Sequence, residues 1–216
     1  MGATRILIVD DHPLFREALT QALRRGVSGA DVEQAATLDA GLAALDARDD
    51  FDLVLLDLRM PGVQGLSGLI YLRTQYPNMP VVIVTASEDE GVIHKALRLG
   101  ASGFIPKSST TADIVAAVSA VLTGEVWTPA AFTPGAASDR EDDEIARRVA
   151  TLTAQQIRVL MMLKEGLLNK QIAYKLDVSE ATIKAHVSAI LQKLKVSSRT
   201  QAVIAANKLD GAPGAE

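Results

Sequence analysis

With 216 residues, 48% of them hydrophobic, the chain is long enough for one large or two small domains and apolar enough to bury a core, which argues against wholesale disorder. It has no cysteine, so disulfides and thiolate metal sites are excluded. The formal net charge of −4 is unevenly spread: residues 1–124 hold 10 Lys/Arg against 15 Asp/Glu, residues 125–150 hold 3 against 6, and residues 151–216 hold 9 against 5. An acidic front and a basic back point to two domains with different partners. The first apolar run stops at two aspartates after strand length, so no signal peptide is expected, and no run approaches the length of a membrane span.

In chain order, the first half alternates short apolar runs with amphipathic stretches. Strands are expected over 4–9, 31–35, 52–57, 80–85 and 103–106, and helices over 13–25, 38–48, 65–76, 89–99 and 111–123. The first helix opens at Pro13, where a missing N–H costs nothing. Ser87-Glu88-Asp89-Glu90 reads as a capping box for the fourth. Five strands alternating with five helices imply a doubly wound, five-stranded parallel sheet. The pattern breaks after Gly124, so residues 1–124 read as one domain. Residues 125–150 read as a linker: Trp127-Thr128-Pro129 and Thr133-Pro134-Gly135 are loop-like, and a short charge-rich helix is expected over 139–150.

Four strands end in chemistry. Ile6-Leu7-Ile8-Val9 ends at Asp10-Asp11, Leu53-Val54-Leu55-Leu56 at Asp57, Val81-Val82-Ile83-Val84 at Thr85, and Gly103-Phe104-Ile105-Pro106 at Lys107. Right-handed crossovers place these ends on one sheet edge, where ligands of open α/β sheets sit. Three carboxylates, a hydroxyl and an ammonium suit a divalent cation and a phosphoryl group. Asp57 is placed to be metal ligand and nucleophile at once. Taken singly, each residue is ordinary, because strand-end aspartates cap helices and a strand-end lysine is usually solvated. The joint placement carries the reading.

From 151 to 210 the strands disappear, and helices are expected over 153–165, 169–176, 180–194 and 198–208, with 211–216 a frayed tail. Thr153 and Gln156 form a reciprocal cap. Gly166 ends the first of these helices, Asn169 is placed to cap the second, and Ser179 to cap the third. On that third helix Ile183, Val187, Ile190, Leu191 and Leu194 share one face, while Ala185, Ser188 and Gln192 point away, flanked by Thr182 and Lys184. This is a helix-turn-helix whose second helix fits a major groove. Ala181 and Ala185 allow close approach, Lys184 can reach a guanine edge or a phosphate, and Lys170, Lys175, Lys193 and Lys195 are candidate phosphate contacts. Pattern alone leaves a protein-binding helical module open, and an enzyme reading, a metal-dependent phosphohydrolase using Asp57, is also open.

The segments Ile6 to Pro13, Asp57-Leu58-Arg59-Met60-Pro61-Gly62, Thr85-Ala86 and Phe104-Ile105-Pro106-Lys107 resemble a response-regulator receiver domain, of flavodoxin-like fold. The resemblance implies that Asp57 accepts phosphate from a sensor histidine kinase. It implies Mg²⁺ held by Asp10, Asp11, Asp57 and the carbonyl of Arg59, Lys107 and Thr85 acting on the phosphoryl oxygens, and Thr85 with Phe104 as a switch pair. Many receivers have Tyr at the position of Phe104, so a hydroxyl-dependent switch is excluded. Gly166 to Ala173, Val178 to His186 and Lys193 to Val196 resemble the four-helix DNA-binding domain of the LuxR type. Together they resemble a NarL/FixJ-type response regulator. That implies a cytoplasmic, phosphorylation-switched transcription factor that contacts double-stranded DNA through Lys170, Thr182, Lys184, Ala185, Ser188, Gln192 and Lys193. It further implies a homodimer on inverted half-sites, paired through Ser198, Arg199 and Ala202. Two departures stand out: Gln155-Gln156 replaces a frequent Arg-Glu, and Ser188 stands where a basic residue is frequent.

Overall fold

The computed structural model describes residues 3–61, 63–130, 132 and 140–209. The Thr133–Ser138 stretch of the expected linker and the 211–216 tail lie outside the described residues. In chain order the first half comprises β1 (Thr4–Val9), α1 (Pro13–Gly26), β2 (Ala30–Ala35), α2 (Leu38–Ala47), β3 (Leu53–Leu56), β4 (Arg59–Met60), β5 (Val63–Gln64), α3 (Ser67–Gln75), β6 (Val81–Thr85), α4 (Glu90–Arg98), β7 (Gly103–Pro106) and α5 (Thr111–Leu122). Five of these strands form one parallel sheet in the order β2-β1-β3-β6-β7. The second half is all helical: α6 (Arg140–Val149), α7 (Ala154–Lys164), α8 (Asn169–Leu176), α9 (Glu180–Leu194) and α10 (Arg199–Leu209).

Side chains alternate across a strand, so each central strand feeds two cores. Leu7, Val9, Val54, Leu56, Val81, Ile83 and Phe104 face one side, under α2, α3 and α4. Ile6, Ile8, Leu53, Leu55, Val82, Val84 and Ile105 face the other, under α1 and α5. All of these are nearly or fully buried, each worth about 2 kcal/mol relative to exposure. Coverage on both faces is why these strands read as continuous apolar runs rather than alternating ones.

Local chemistry sets most helix starts. Thr37, Asp89, Thr110 and Ser179 accept backbone N–H bonds from Ala40, Val92, Asp113 and Thr182, and Thr153 with Gln156 closes the reciprocal box. Two expected caps are corrected. Asp89, not Ser87, caps α4, because its carboxylate reaches the Val92 amide. Asn169 is already helical, and the Gln171 side chain accepts the Leu168 amide instead. The helix expected from 65 begins two residues later, as α3. Residues 59–60 and 63–64 pair as a small antiparallel hairpin, and Gly65 at φ +61° turns the chain out of it. Trp127, read as linker, instead forms a parallel bridge to Gly103 on the outer edge of β7.

The helical half has its own core of Ile145, Val149, Leu152, Ile157, Val159, Leu160, Leu163, Ile172, Ile183, Ile190, Leu194 and Ala202. Ile70 of α3 is buried in that same cluster, with Tyr71 and Leu99 packed against it. The two halves therefore touch through α3 and α7, and the Lys95 ammonium donates to the Lys208 carbonyl at 2.7 Å.

Candidate functional site

The carboxyl ends of β1, β3, β6 and β7 bring the residues at 10, 11, 57, 85 and 107 to one edge. The register does this through the backbone. Asp57 N donates to Val9 O, and Lys107 N donates to Thr85 O, which locks neighbouring strand ends together. Asp57, Asp10 and Thr85 are buried, at 2%, 1% and 0% exposure. Such burial of carboxylates is tolerated only with partners. Lys107 Nζ supplies one, lying 2.7 Å from Asp57 Oδ2 and 2.6 Å from Asp10 Oδ2. The Arg59 amide donates to Asp57 Oδ1 at 3.2 Å, and the Phe15 ring lies 4.8 Å from the Lys107 ammonium.

Burial raises the Asp57 carboxyl above the ordinary aspartate value; Lys107 and the Arg59 amide pull it back, and the nearby Asp10 charge adds to the rise. The Asp57 carboxylate is thus held in a site that disfavours its charge. One cation shared between two carboxylates leaves the cluster short of positive charge.

Asp10 Oδ2 and Asp11 Oδ1 are buried and accept no well-directed hydrogen bond, although Lys107 and His12 Nδ1 lie within ion-pair reach of them. Donor atoms of Asp10, Asp11, His12 and Asp57 all lie within 4.8 Å of one another. Hard oxygens this close with unused lone pairs fit a divalent cation. The pocket's chemistry is consistent with a divalent-metal site.

Sequence reasoning gave His12 no role. The structure puts its Nδ1 2.8 Å from Asp11 Oδ1 and its amide 2.8 Å from Asp10 Oδ1. The signal was present, since a third side chain with ligand capacity follows Asp10-Asp11 directly. Phe15 was missed because a ring–ammonium contact across the sheet edge leaves no local pattern. Of the switch pair, Thr85 accepts the Ser87 amide at 3.4 Å, and the Phe104 ring is fully buried.

In the helical half, α8 and α9 meet through the left-handed Asp177 at φ 52°. Ile183, Ile190 and Leu194 are buried, with Val187 and Leu191 partly so, which turns Thr182, Lys184, Ala185, Ser188 and Gln192 to solvent. Lys170 is also exposed. Lys184 pairs with Glu180 at 3.0 Å, both side chains largely solvated, so the pair contributes little. Lys193 differs from the other candidate DNA contacts: its ammonium donates to Thr151 O at 2.8 Å and Gln156 Oε1 at 2.9 Å. Among the dimer candidates, Ser198 is half-buried, Arg199 donates to the Leu167 carbonyl, and Ala202 is fully buried in the helical core.

Comparison with known proteins fits this geometry. Residues 6–119 match the response regulator receiver domain family, and residues 150–206 match the bacterial regulatory proteins of the luxR family. The chain is 45% identical to the glycerol metabolism activator of Pseudomonas putida over 95% of its own length and 96% of the relative's. It is 35% identical to the nitrate/nitrite response regulator protein NarL of Escherichia coli, covering 92% and 93% of the two chains. Among solved structures, a LuxR family DNA-binding response regulator from Silicibacter pomeroyi aligns at 37% identity and a TM-score of 0.54, over 60% of this chain and 99% of that one. The chain belongs to the NarL-type response regulators: a two-component receiver joined to a LuxR-type helix-turn-helix that regulates transcription.

Proposed function

We propose that Asp57 is the phosphoacceptor of this regulator and that α9 reads DNA. One observation supports the first half above all others: Lys107 Nζ lies within 2.7 Å of both Asp57 and Asp10 at a single sheet edge, with Thr85 at the next strand end. Mg²⁺, held by Asp10, Asp11, Asp57 and the Arg59 carbonyl, would offset charge on the incoming phosphoryl oxygens. The Asp57 carboxylate attacks the phosphorus carried by a sensor histidine kinase, and an acyl phosphate forms as the donor bond breaks. Lys107 then turns its charge to a phosphoryl oxygen, and Thr85 donates its hydroxyl to another. Phe104, whose ring is already buried in the core, repacks as Thr85 moves. Arg59 stands where a phosphohydrolase would need a second acid, so the pocket lacks the acid for turnover.

On the DNA side, Thr182, Lys184, Ala185, Ser188 and Gln192 face the major groove, while Lys170 contacts phosphate. Lys193 reaches DNA only by leaving Thr151 and Gln156. Ser198 and Arg199 form the seam of a homodimer on inverted half-sites, and Ala202, buried in the helical core, supports α10 from within rather than touching the partner. Membership of this family supports a cytoplasmic location. Among the described residues no helix is long and apolar enough to cross a membrane. The 45% identity to a protein named an activator favours activation over repression.

The test is intact mass plus DNA affinity. Incubation with a small acyl phosphate and Mg²⁺ should add one phosphoryl group and raise affinity for a duplex selected from random DNA, on the order of tenfold. Asp57→Ala should abolish both. Labelling and affinity unchanged in that variant would overturn the proposal.

A further inference from the structure

β7 is an edge strand, and its outer backbone groups need a cover. The cover comes from the segment after α5. Trp127 N donates to Ser102 O at 3.2 Å, and Phe104 N donates to Trp127 O at 3.0 Å. The second bond is made by the backbone of the switch residue itself. Between the two lies Gly103, where an added Cβ would stand 3.1 Å from Trp127 O, 3.4 Å from Val121 Cγ2 and 3.5 Å from Trp127 Cβ. The sequence therefore keeps a side-chain-free seat at the point where the segment docks.

The segment also grips β7 from both faces. Trp127 packs against the core cluster under α1 and α5. Phe132 packs against the opposite cluster, the one that holds Phe104, and its ring lies 4.6 Å from the His94 ring on α4 at 52°. His94 Nε2 is buried there without a hydrogen-bond partner. Two aromatic side chains thus straddle the switch strand, joined to it by a two-bond bridge.

We propose that residues 126–130 with Phe132 form a strap that reads the state of Phe104 and loosens when Asp57 is phosphorylated; this rests on the Asp57 reading above. The coupling is mechanical. Thr85 O accepts the Lys107 amide, and β6 pairs with β7 in register from Val82–Gly103 to Thr85–Pro106. A pull on Thr85 toward a phosphoryl group therefore drags the end of β7, and with it the Phe104 amide that holds Trp127 O. The strap is the first segment after α5 and lies on the path from the sheet to the helical half.

Trp127 is the sole tryptophan of the chain and so reports on the strap directly. The full chain is titrated with beryllofluoride and Mg²⁺, with ¹⁹F resonance showing whether the phosphoryl mimic is bound. Binding should bring a red shift of Trp127 emission, steeper acrylamide quenching, and faster hydrogen exchange at the Phe104 and Trp127 amides together. Gly103→Ala should show part of the red shift before any beryllofluoride is added. A bound ¹⁹F signal with unchanged emission, quenching and exchange overturns the strap and leaves the Asp57 reading standing. No bound signal overturns both. A Trp127 response that persists in Asp57→Asn also overturns the strap, because it would not come from the pocket.

Discussion

The acidic pocket and the outer face of α9 are opposite solutions to carrying charge. In the pocket, carboxylates are buried to 1–2% exposure and tied to one shared ammonium. On the outer face of α9 the polar side chains are solvated, and Lys184 pairs with an exposed i,i+4 glutamate. Buried charges with too few partners are what the proposed cation and phosphoryl group would meet, while exposed ones are what the proposed DNA contact would use. The lesson is that charge alone does not mark a contact residue. Lys193 is as basic as Lys184, yet its charge is already used inside the domain.

The comparison breaks most visibly at Lys107. Lys107→Ala leaves Asp10 and Asp57 facing each other without their cation and should destabilise the metal-free chain by about 3 kcal/mol in urea unfolding. Added Mg²⁺ should recover part of that loss. A loss no larger than that of a surface lysine would remove the pocket's claim to be a strained cluster. Next comes the pair on α9. Lys184→Ala should weaken binding to a selected duplex by about 1–3 kcal/mol without changing stability. Lys193→Ala should do the reverse, costing about 1 kcal/mol of stability through two lost hydrogen bonds and leaving the salt dependence of DNA binding nearly unchanged. Equal effects of the two on DNA would show that Lys193 leaves its internal partners on binding.

The smallest effect is the sharpest in sign. Asp57 sits above the ordinary aspartate value, with burial the largest cause. The folded chain therefore binds that proton more tightly than the unfolded chain. Stability contributed by the protonated form is lost as pH rises from the ordinary aspartate value through the raised folded value, with no further change above it. Asp57→Asn has no such loss. Its stability advantage over the wild type should grow across that acidic window and then stay constant to neutral pH, as followed by thermal unfolding. An advantage that shrinks across the window would mean that Lys107 outweighs burial.

The pocket was legible because four of its positions are strand ends, and an apolar run that stops at a charge is visible in one dimension. The recognition helix was legible from its stripe, and Ile183, Ile190 and Leu194 are buried where the 3.6-residue period puts them. What escaped was set by contacts between distant residues. The hairpin of Arg59–Met60 with Val63–Gln64 is too short to show alternation. Trp127 lies in a loop-like composition, and only the open edge of β7 makes it pair. The partners of Lys193 lie 37 and 42 residues away. Ala202 looked like a small interface residue, and its place in the core follows from how α10 packs on α7 and α9.

Ile70 belongs to the sheet domain by chain and to the helical bundle by burial, at 5% exposure. A receiver cut away after Gly124 would bare Ile70, Tyr71 and Leu99 to water together. Such a fragment would be stickier than the parent and would self-associate for reasons unrelated to signalling. Dissecting this regulator into halves thus bares a surface that the helical half covers in this structure, and dimerisation measured on the fragment mixes the effect of the cut with that of the switch.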